Sequence, residues 1–213
     1  MNNKIYKSVE ELPVWLKSYQ LTLKIYNLTK SFNQLAKEAQ WDLLIYYVYM
    51  LCVDPTSVTK MWTNYNELFK KVIISAVCDQ YNQLDENLKP QNNVWRDPRK
   101  RADQGTFYKA MPVDMELCFA AIPKQAFLDV GGFDEEYDRA AALGEKEGIA
   151  RMFKAGYETY LDQSLEYRAF KHDRLGGNEE WEKHYKIAQE MYARHIQEIN
   201  EGKRLKITNN RGY

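Results

Sequence analysis

The chain has 213 residues, enough for one domain with a sizeable hydrophobic core. Its 30 basic and 30 acidic residues cancel, so no global field attracts nucleic acid or an anionic membrane, and we expect neither as a partner. The three cysteines lie in apolar stretches without zinc-ligand spacing, which favours buried thiols in a reducing compartment.

The amino-terminal part of the chain alternates between helical and strand periodicity. Helical spacing predicts a helix within 1–19, strict alternation predicts a half-buried strand at 20–27, and a Ser-x-x-Gln capping box opens a helix at Ser31. Residues 42–50 are apolar on both faces, as in a central strand covered by helices. The longest apolar run, 43–53, is too short to cross a bilayer, and the amino terminus lacks a signal-peptide core. We therefore predict a cytoplasmic chain without a membrane span.

The same alternation continues toward the carboxyl terminus. A helix follows Pro55, and residues 72–77 read as a short buried strand. The polar stretch 79–107, rich in turn-forming residues, predicts a long loop of the kind that is usually functional. The remaining predicted elements are strands at 115–122, 158–162 and 165–170, helices at 123–128 and 144–155, and a long amphipathic helix at 178–200.

Strands that alternate with helices predict a single α/β domain over residues 1–213, with a mixed central sheet and helices on both faces. After the amino-terminal helix at 1–19, the sheet core covers 20–175, the carboxyl-terminal helix 176–202 and a frayed tail 203–213. In open sheets of this kind, ligands bind at the carboxyl ends of strands. We therefore expect the functional site in the loops that follow those ends.

One segment combines glycines and carboxylates in a spacing that suggests a particular chemistry. Residues 130–138 read Val-Gly-Gly-Phe-Asp-Glu-Glu-Tyr-Asp. Two glycines ahead of an acidic turn let the backbone approach a bulky polar ligand. We therefore expect Gly131, Gly132 and Asp134 to contact a substrate.

A short helix after this turn presents Glu145 and Glu147, and Arg151 and an Ala-Gly helix end follow. The whole block resembles the acceptor half of family-2-like nucleotide-sugar glycosyltransferases of the GT-A fold. The resemblance implies transfer of a sugar from a nucleotide-sugar donor to the hydroxyl of a glycan or other acceptor, with Glu145 as the base and Glu147 beside it at the substrate. The alternative is that both glutamates are solvated first-turn residues, favoured there by the helix dipole.

The polar stretch 79–107 contains a second candidate cluster. Trp95 would cover the donor like a lid, while Arg96 and Arg99 would meet its phosphates. Asp79, at the end of a predicted strand, faces the same cleft by topology. The alternatives are a solvated loop with one tucked indole ring and an aspartate that only forms a turn.

The chain departs from the family at the metal site. In GT-A enzymes an Asp-x-Asp element after a hydrophobic strand holds a divalent cation against the donor diphosphate, whereas here Tyr49 stands at the ligand position. We therefore expect Mn²⁺ or Mg²⁺ to bind in the millimolar range or not at all, because hard cations need several oxygen ligands. The resemblance also implies His172 as a further metal ligand, with a surface role as the alternative.

The chain also departs from the family in length. Only ~20 residues precede the first clear strand, fewer than the roughly 30 that a nucleotide-binding β-α-β unit needs. The chain therefore resembles the carboxyl-terminal two thirds of such an enzyme, truncated or completed by another polypeptide. Two functions fit these features. One is a glycosyltransferase, and the other is a non-catalytic GT-A-like module that binds glycan or a partner protein.

Overall fold

The computed structural model describes residues 28–47, 51–53, 56–84, 90–140, 142–170 and 177–209. The predicted helix at 1–19 and the predicted strand at 20–27 lie outside these residues. No helix within the described ranges is long and apolar enough to cross a membrane.

Helices and strands alternate along the described chain. In order they are α1 (Leu28–Glu38), β1 (Leu43–Tyr47), β2 (Leu51–Val53), α2 (Ser57–Glu67), β3 (Val72–Leu84), β4 (Pro90–Arg96), β5 (Phe107–Lys109), β6 (Phe119–Pro123), α3 (Lys124–Asp129), α4 (Gly144–Lys154), β7 (Glu158–Phe170) and α5 (Gly177–Asn200). Short 3-10 helices lie at Ala102–Gln104, Pro112–Asp114 and Glu135–Arg139.

The seven described strands form one mixed sheet. Its main order is β1-β6-β3-β7-β2, while β4 lies beside the outer half of β3 and β5 lies beside β7. The β3–β7 pair is parallel and the other pairs are antiparallel. Strands β1, β3 and β7 therefore run in the same direction, and their carboxyl ends lie at one edge of the sheet.

The sheet is covered by helices on both faces, as the sequence predicts. Alternate residues of β3 point to opposite sides, because side chains in a strand have a period of two. Ile73 packs in a core with side chains of α1, α3 and α4, whereas Ile74 packs in a second core with Met61 and Tyr65 of α2. The prediction of a mixed α/β fold with a long carboxyl-terminal helix is therefore confirmed.

Several segments differ from the predicted elements. The helix predicted to open at Ser31 begins at Leu28, and the strand predicted at 115–122 is observed as Phe119–Pro123. Residues 42–50 were predicted as a central strand, whereas β1 lies at one end of the described strand order.

The stretch 79–107, predicted as a long loop, contains the outer half of β3 and all of β4, paired from Asp79 opposite Arg96 to Leu84 opposite Pro90. The side chains of these strands are mostly polar and show no strand periodicity. The strands pair through backbone groups alone, which leave no pattern in the sequence. The strands predicted at 158–162 and 165–170 are two halves of β7, separated by a register shift where the predicted gap lies.

Candidate functional site

The turn at residues 130–134 is held by one buried arginine. Arg151 on α4 has no exposed surface and donates to Val130 O at 2.6 Å and to Gly132 O at 2.8 Å. It also donates to both carboxylate oxygens of Glu147, which is equally buried. Charge-assisted bonds of this kind are about twice as strong as neutral ones. The Glu147–Arg151 pair therefore fixes the turn against the helix.

Both glycines of the turn adopt the left-handed backbone that favours glycine, with φ of +82° at Gly131 and +84° at Gly132. A Cβ atom at Gly131 would lie 2.1 Å from Ile207 O, and one at Gly132 would lie 2.5 Å from Asn33 Oδ1. The close approach that we predicted for a ligand is therefore made by the chain itself.

The side chain of Asn33 on α1 forms two hydrogen bonds with the backbone of Phe133 in the turn. Its side-chain amide donates to Phe133 O at 2.8 Å, and its Oδ1 accepts the Phe133 N–H at 2.9 Å. These two bonds satisfy a buried backbone donor and acceptor that would otherwise destabilise the fold. The turn is thus held from α1 as well as from α4.

Residues 203–209, predicted as part of a frayed tail, instead pack against the turn. The Ile207 N–H donates to Val130 O at 3.1 Å. The side-chain amide of Asn209 donates to Gly131 O at 3.1 Å and to Phe133 O at 2.9 Å. The prediction was wrong for this segment because these partners are backbone carbonyls distant in sequence, which carry no local signal.

Arg204 links this segment to two predicted site residues. Its guanidinium forms ion pairs with Asp134 and, at 3.1 Å, with Glu147, and it lies 3.7 Å from Glu198. Asp134 also caps the 3-10 helix that follows it, by accepting the Glu136 N–H at 2.9 Å. The carboxylates of Asp134 and Glu147 therefore have partners within the protein.

Glu145 lies in the first turn of α4, on the helix that the Glu147–Arg151 pair fixes. Two left-handed non-glycine residues precede the helix, Ala142 with φ +65° and Leu143 with φ +70°. Such strain tends to occur at functional sites, where surrounding structure must hold it. The helix ends where Gly156 adopts φ +93°, a common helix terminator.

The environment of Glu145 favours its neutral form. Burial raises the pKa of its carboxyl, and nearby Glu116 raises it further, while its own backbone N–H and Lys146 lower it. The negative charge of Glu145 also acts on Tyr46 of β1. Burial and this charge together raise the pKa of Tyr46 to about 12. Glu145 therefore lies near the carboxyl end of β1, where the α/β topology predicts a ligand site.

A buried polar network extends from β3 toward Glu145. The Asp97 carboxylate accepts the Cys78 N–H at 2.7 Å and pairs with the Arg99 guanidinium, while the Arg99 guanidinium lies 3.4 Å from Glu116. Although burial raises the pKa of Asp97, the bonds from Arg99 and Cys78 lower it below its usual value. Glu116 in turn lies 4.0 Å from Lys146, next to Glu145. The network therefore extends from the middle of β3 to Glu116, whose negative charge acts on Glu145.

The three residues of the predicted lid have different positions. Arg99 is 9% exposed, and its guanidinium pairs with Asp97 and lies near Glu116. Trp95 and Arg96 lie on β4 and are exposed, with Trp95 opposite Gln80 and Arg96 opposite Asp79. Asp79 is buried and pairs with Lys100 at 2.9 Å. Arg99 thus shares Glu116 as a neighbour with Glu145, Asp79 pairs with Lys100, and Trp95 and Arg96 lie at the surface.

The predicted metal position at Tyr49 and the candidate ligand His172 lie outside the described residues. Within the described ranges, one set of three possible ligands lies close together: Asp134, Glu136 and His195 offer atoms within 4.8 Å of one another. Asp134 is already held by Arg204 and by a backbone N–H. The set therefore does not fit a divalent ion as it stands. Burial, more than any other cause, lowers the pKa of His195.

Sequence reasoning missed four residues that shape this site: Asn33, Glu116, Arg204 and Asn209. None of them belongs to a motif, and their partners are distant in sequence. The Glu147–Arg151 pair was visible in principle, because glutamate four residues before arginine on a helix is a known stabilising spacing.

No protein-family model and no curated protein matches this chain. Solved structures do match, among them the crystal structure of GalNAc-T7 with UDP, GalNAc and Mn²⁺, with a TM-score of 0.57 and 15% sequence identity. The alignment covers 90% of this chain and 40% of that chain. At this identity the likeness shows the fold alone, which is similar to the GT-A glycosyltransferase fold and does not single out family 2.

Proposed function

We propose that this chain is a glycosyltransferase-like protein that transfers a sugar from a nucleotide-sugar donor to an acceptor hydroxyl, with Glu145 as the base. One observation carries the proposal. The fold is similar to the GT-A fold, and the carboxyl group of Glu145, whose pKa is raised by burial, lies in the first turn of α4. Two residues with a left-handed backbone directly precede this helix. A carboxylate is a stronger base when its pKa lies nearer the working pH.

The reaction is a direct displacement. The ionised Glu145 carboxylate takes the proton of the acceptor hydroxyl as the acceptor oxygen forms a bond to the anomeric carbon. The bond from that carbon to the diphosphate oxygen breaks, and the nucleoside diphosphate leaves with the electron pair. Positioning is essential, because an error of about 1 Å in such a site can cost on the order of a hundredfold in rate. The Glu147–Arg151 pair supports that positioning by fixing α4.

The diphosphate leaving group needs positive charge, from the protein or from a metal ion. Among the described residues of the β4 region, Arg96 is exposed, whereas Arg99 is engaged with Asp97. Mn²⁺ or Mg²⁺ is the other source of charge, through residues outside the described ranges or through another chain that completes the donor site. No step of the reaction is assigned to Asp134, Glu136 and His195.

The test is transfer or hydrolysis of a panel of nucleotide sugars, with and without Mn²⁺. UDP-GalNAc belongs in the panel because the GalNAc-T7 structure contains UDP and GalNAc. Glu145→Gln keeps the shape of the side chain and removes the base, so we expect roughly a hundredfold or greater loss of transfer. The matched control is Glu190→Gln on α5, the same chemical change at an exposed position, which should keep wild-type transfer.

A second candidate function is a non-catalytic module that binds glycan or a partner protein. Arg99 pairs with Asp97, and Asp134 pairs with Arg204, so neither charged group is available to a donor in this arrangement. This pairing within the protein favours the non-catalytic module. Wild-type inactivity across the panel, with glycan binding retained, would support this function over transfer. Equal activity of wild type and Glu145→Gln would remove Glu145 as the base.

A further inference from the structure

A cavity lies at the end of the sheet opposite Glu145. It has a volume of about 510 Å³, and its lining includes Asp42, Lys71 and Tyr157. These three residues directly precede β1, β3 and β7, which run in the same direction. The cavity therefore lies at the amino ends of these strands, whereas Glu145 lies near the carboxyl end of β1. The two sites are separate.

A strained turn at this cavity exposes an aromatic ring. Phe69 has φ +57° and Lys70 has φ +60°, a left-handed pair without glycine. Bonds from Lys70 N–H to Tyr65 O at 3.0 Å and from Lys71 N–H to Leu68 O at 3.4 Å hold the turn. The result is that Phe69 is 88% exposed, whereas Phe127 in the core is 1% exposed. Backbone strain of this kind occurs preferentially at functional sites.

Three lysines line the same cavity as this ring. They are Lys70, Lys71 and Lys124, and among the described residues Asp42 is the one acidic residue in the lining. The ammonium group of Lys70 lies 3.7 Å from Asp42 in an exposed pair, which contributes little and can be exchanged for a ligand. The lining therefore carries an excess of positive charge beside an exposed aromatic face.

We propose that this cavity binds an acidic polysaccharide, with a sugar ring stacked on Phe69 and its carboxylate or sulfate groups paired with Lys70 and Lys71. Aromatic rings offer an apolar face to a ligand, and lysine provides a point charge for an anion. The volume lies in the range of about 300–1,000 Å³ of small-ligand sites. A protein partner would instead need about 800 Å² of surface on each side. The concave shape favours the glycan over an acidic protein.

The test measures binding of the full chain to polygalacturonate, with sulfated dextran, neutral dextran and polyglutamate as comparisons. Sulfated dextran separates sulfate from uronate as the anionic group. Phe69→Gly removes the ring and also relieves the left-handed strain, since glycine adopts positive φ freely. We expect its Kd for polygalacturonate to rise about tenfold while its melting temperature stays the same or rises. A purely structural role of Phe69 would change stability and leave binding intact.

The charge component has its own pair of variants. The double variant Lys70→Gln and Lys71→Gln should weaken binding of both acidic polysaccharides about tenfold, whereas Lys183→Gln with Lys186→Gln on the exposed side of α5 should not. Polyglutamate binding as tight as polygalacturonate binding, or wild-type binding by Phe69→Gly, would overturn the proposal. Glu145→Gln should bind polygalacturonate like wild type, so a failure of the proposed transfer would not be confused with a failure here.

Discussion

At the scale of single residues, Arg151 and Glu147 decide where the proposed base lies. A buried ion pair stabilises a fold only when its remaining hydrogen-bonding groups are also satisfied. Arg151 meets this condition because it donates to Val130 O and Gly132 O besides Glu147. Removing either partner would leave the other charge buried. The pair therefore keeps α4, with Glu145 in its first turn, in a fixed position against the turn.

The raised pKa of Glu145 predicts a pH-dependent gain of stability in Glu145→Gln. A carboxyl whose pKa is higher in the folded state than in the unfolded state binds more protons when folded. Its ionisation thus lowers stability as pH rises above the ordinary value of 4.5 through the folded pKa. We expect Glu145→Gln to equal wild type near pH 4 and to exceed it at pH 7, by ~1.4 kcal/mol for each pKa unit.

Thermal unfolding at pH 4, 5.5 and 7 measures this effect. Loss of the favourable interaction of a carboxylate with the helix dipole opposes the gain by only ~0.3–1 kcal/mol. Glu190→Gln is the matched control on an exposed helix face. If Glu145→Gln is less stable than wild type at pH 7, the helix-dipole effect exceeds the effect of burial. Glu145 would then be a solvated first-turn residue, which is the alternative that the sequence leaves open.

At the scale of elements, the segment 203–209 acts as a strap across the turn. Arg204 contributes its ion pairs with Asp134 and with the fully buried Glu147. We expect Arg204→Gln to lower the free energy of unfolding by ~1–3 kcal/mol, because it leaves a buried carboxylate with one partner fewer. Urea denaturation measures the change.

Arg194→Gln is the matched control for this prediction. Its guanidinium lies 4.0 Å from Glu136 and the side chain is 58% exposed, so its loss should change stability by less than ~1 kcal/mol. Equal effects of the two variants would mean that the strap contributes no more than a surface ion pair.

Elements with a strong local pattern were predictable, and those without one were not. The helix predicted at 144–155 is observed as Gly144–Lys154, since a helical spacing lies within it and a terminating glycine, Gly156, follows it. The hairpin of β3 and β4 was missed because its side chains are polar while its pairing is made by the backbone. Local patterns report side-chain burial, and this hairpin is stabilised by another kind of interaction.

The same distinction applies to the candidate site. Glu145 could be proposed from the sequence because it lies in a compact motif together with Arg151. Arg204 was not, because its partners Glu147 and Asp134 are 57 and 70 residues away in the chain. Sequence reasoning also assigned Asp134 and Glu147 to a substrate, whereas the structure pairs both carboxylates with arginine. Only the folded chain reveals which charges are already satisfied.

At the scale of the whole molecule, the centre of the sheet should be its most stable part. Residues 73–77 of β3 are buried and lie between β6 and β7. We expect their amides to exchange with solvent only on global unfolding, on the order of a hundredfold more slowly than amides in 203–209. Hydrogen exchange with mass spectrometry compares the two segments. Similar protection of both would mean that the strap unfolds together with the sheet.

The strap has a consequence for the order in which the protein is made. Asn209 bonds to Gly131 across 78 residues of sequence, so the turn is synthesised long before the segment that holds it. Contacts between distant residues form slowly, because the loop between them must first close. The strands β1 to β7 can pair before residues 203–209 have left the ribosome. A nascent chain at that stage would contain its sheet and Glu145, but the turn beside α4 would still lack its final restraint.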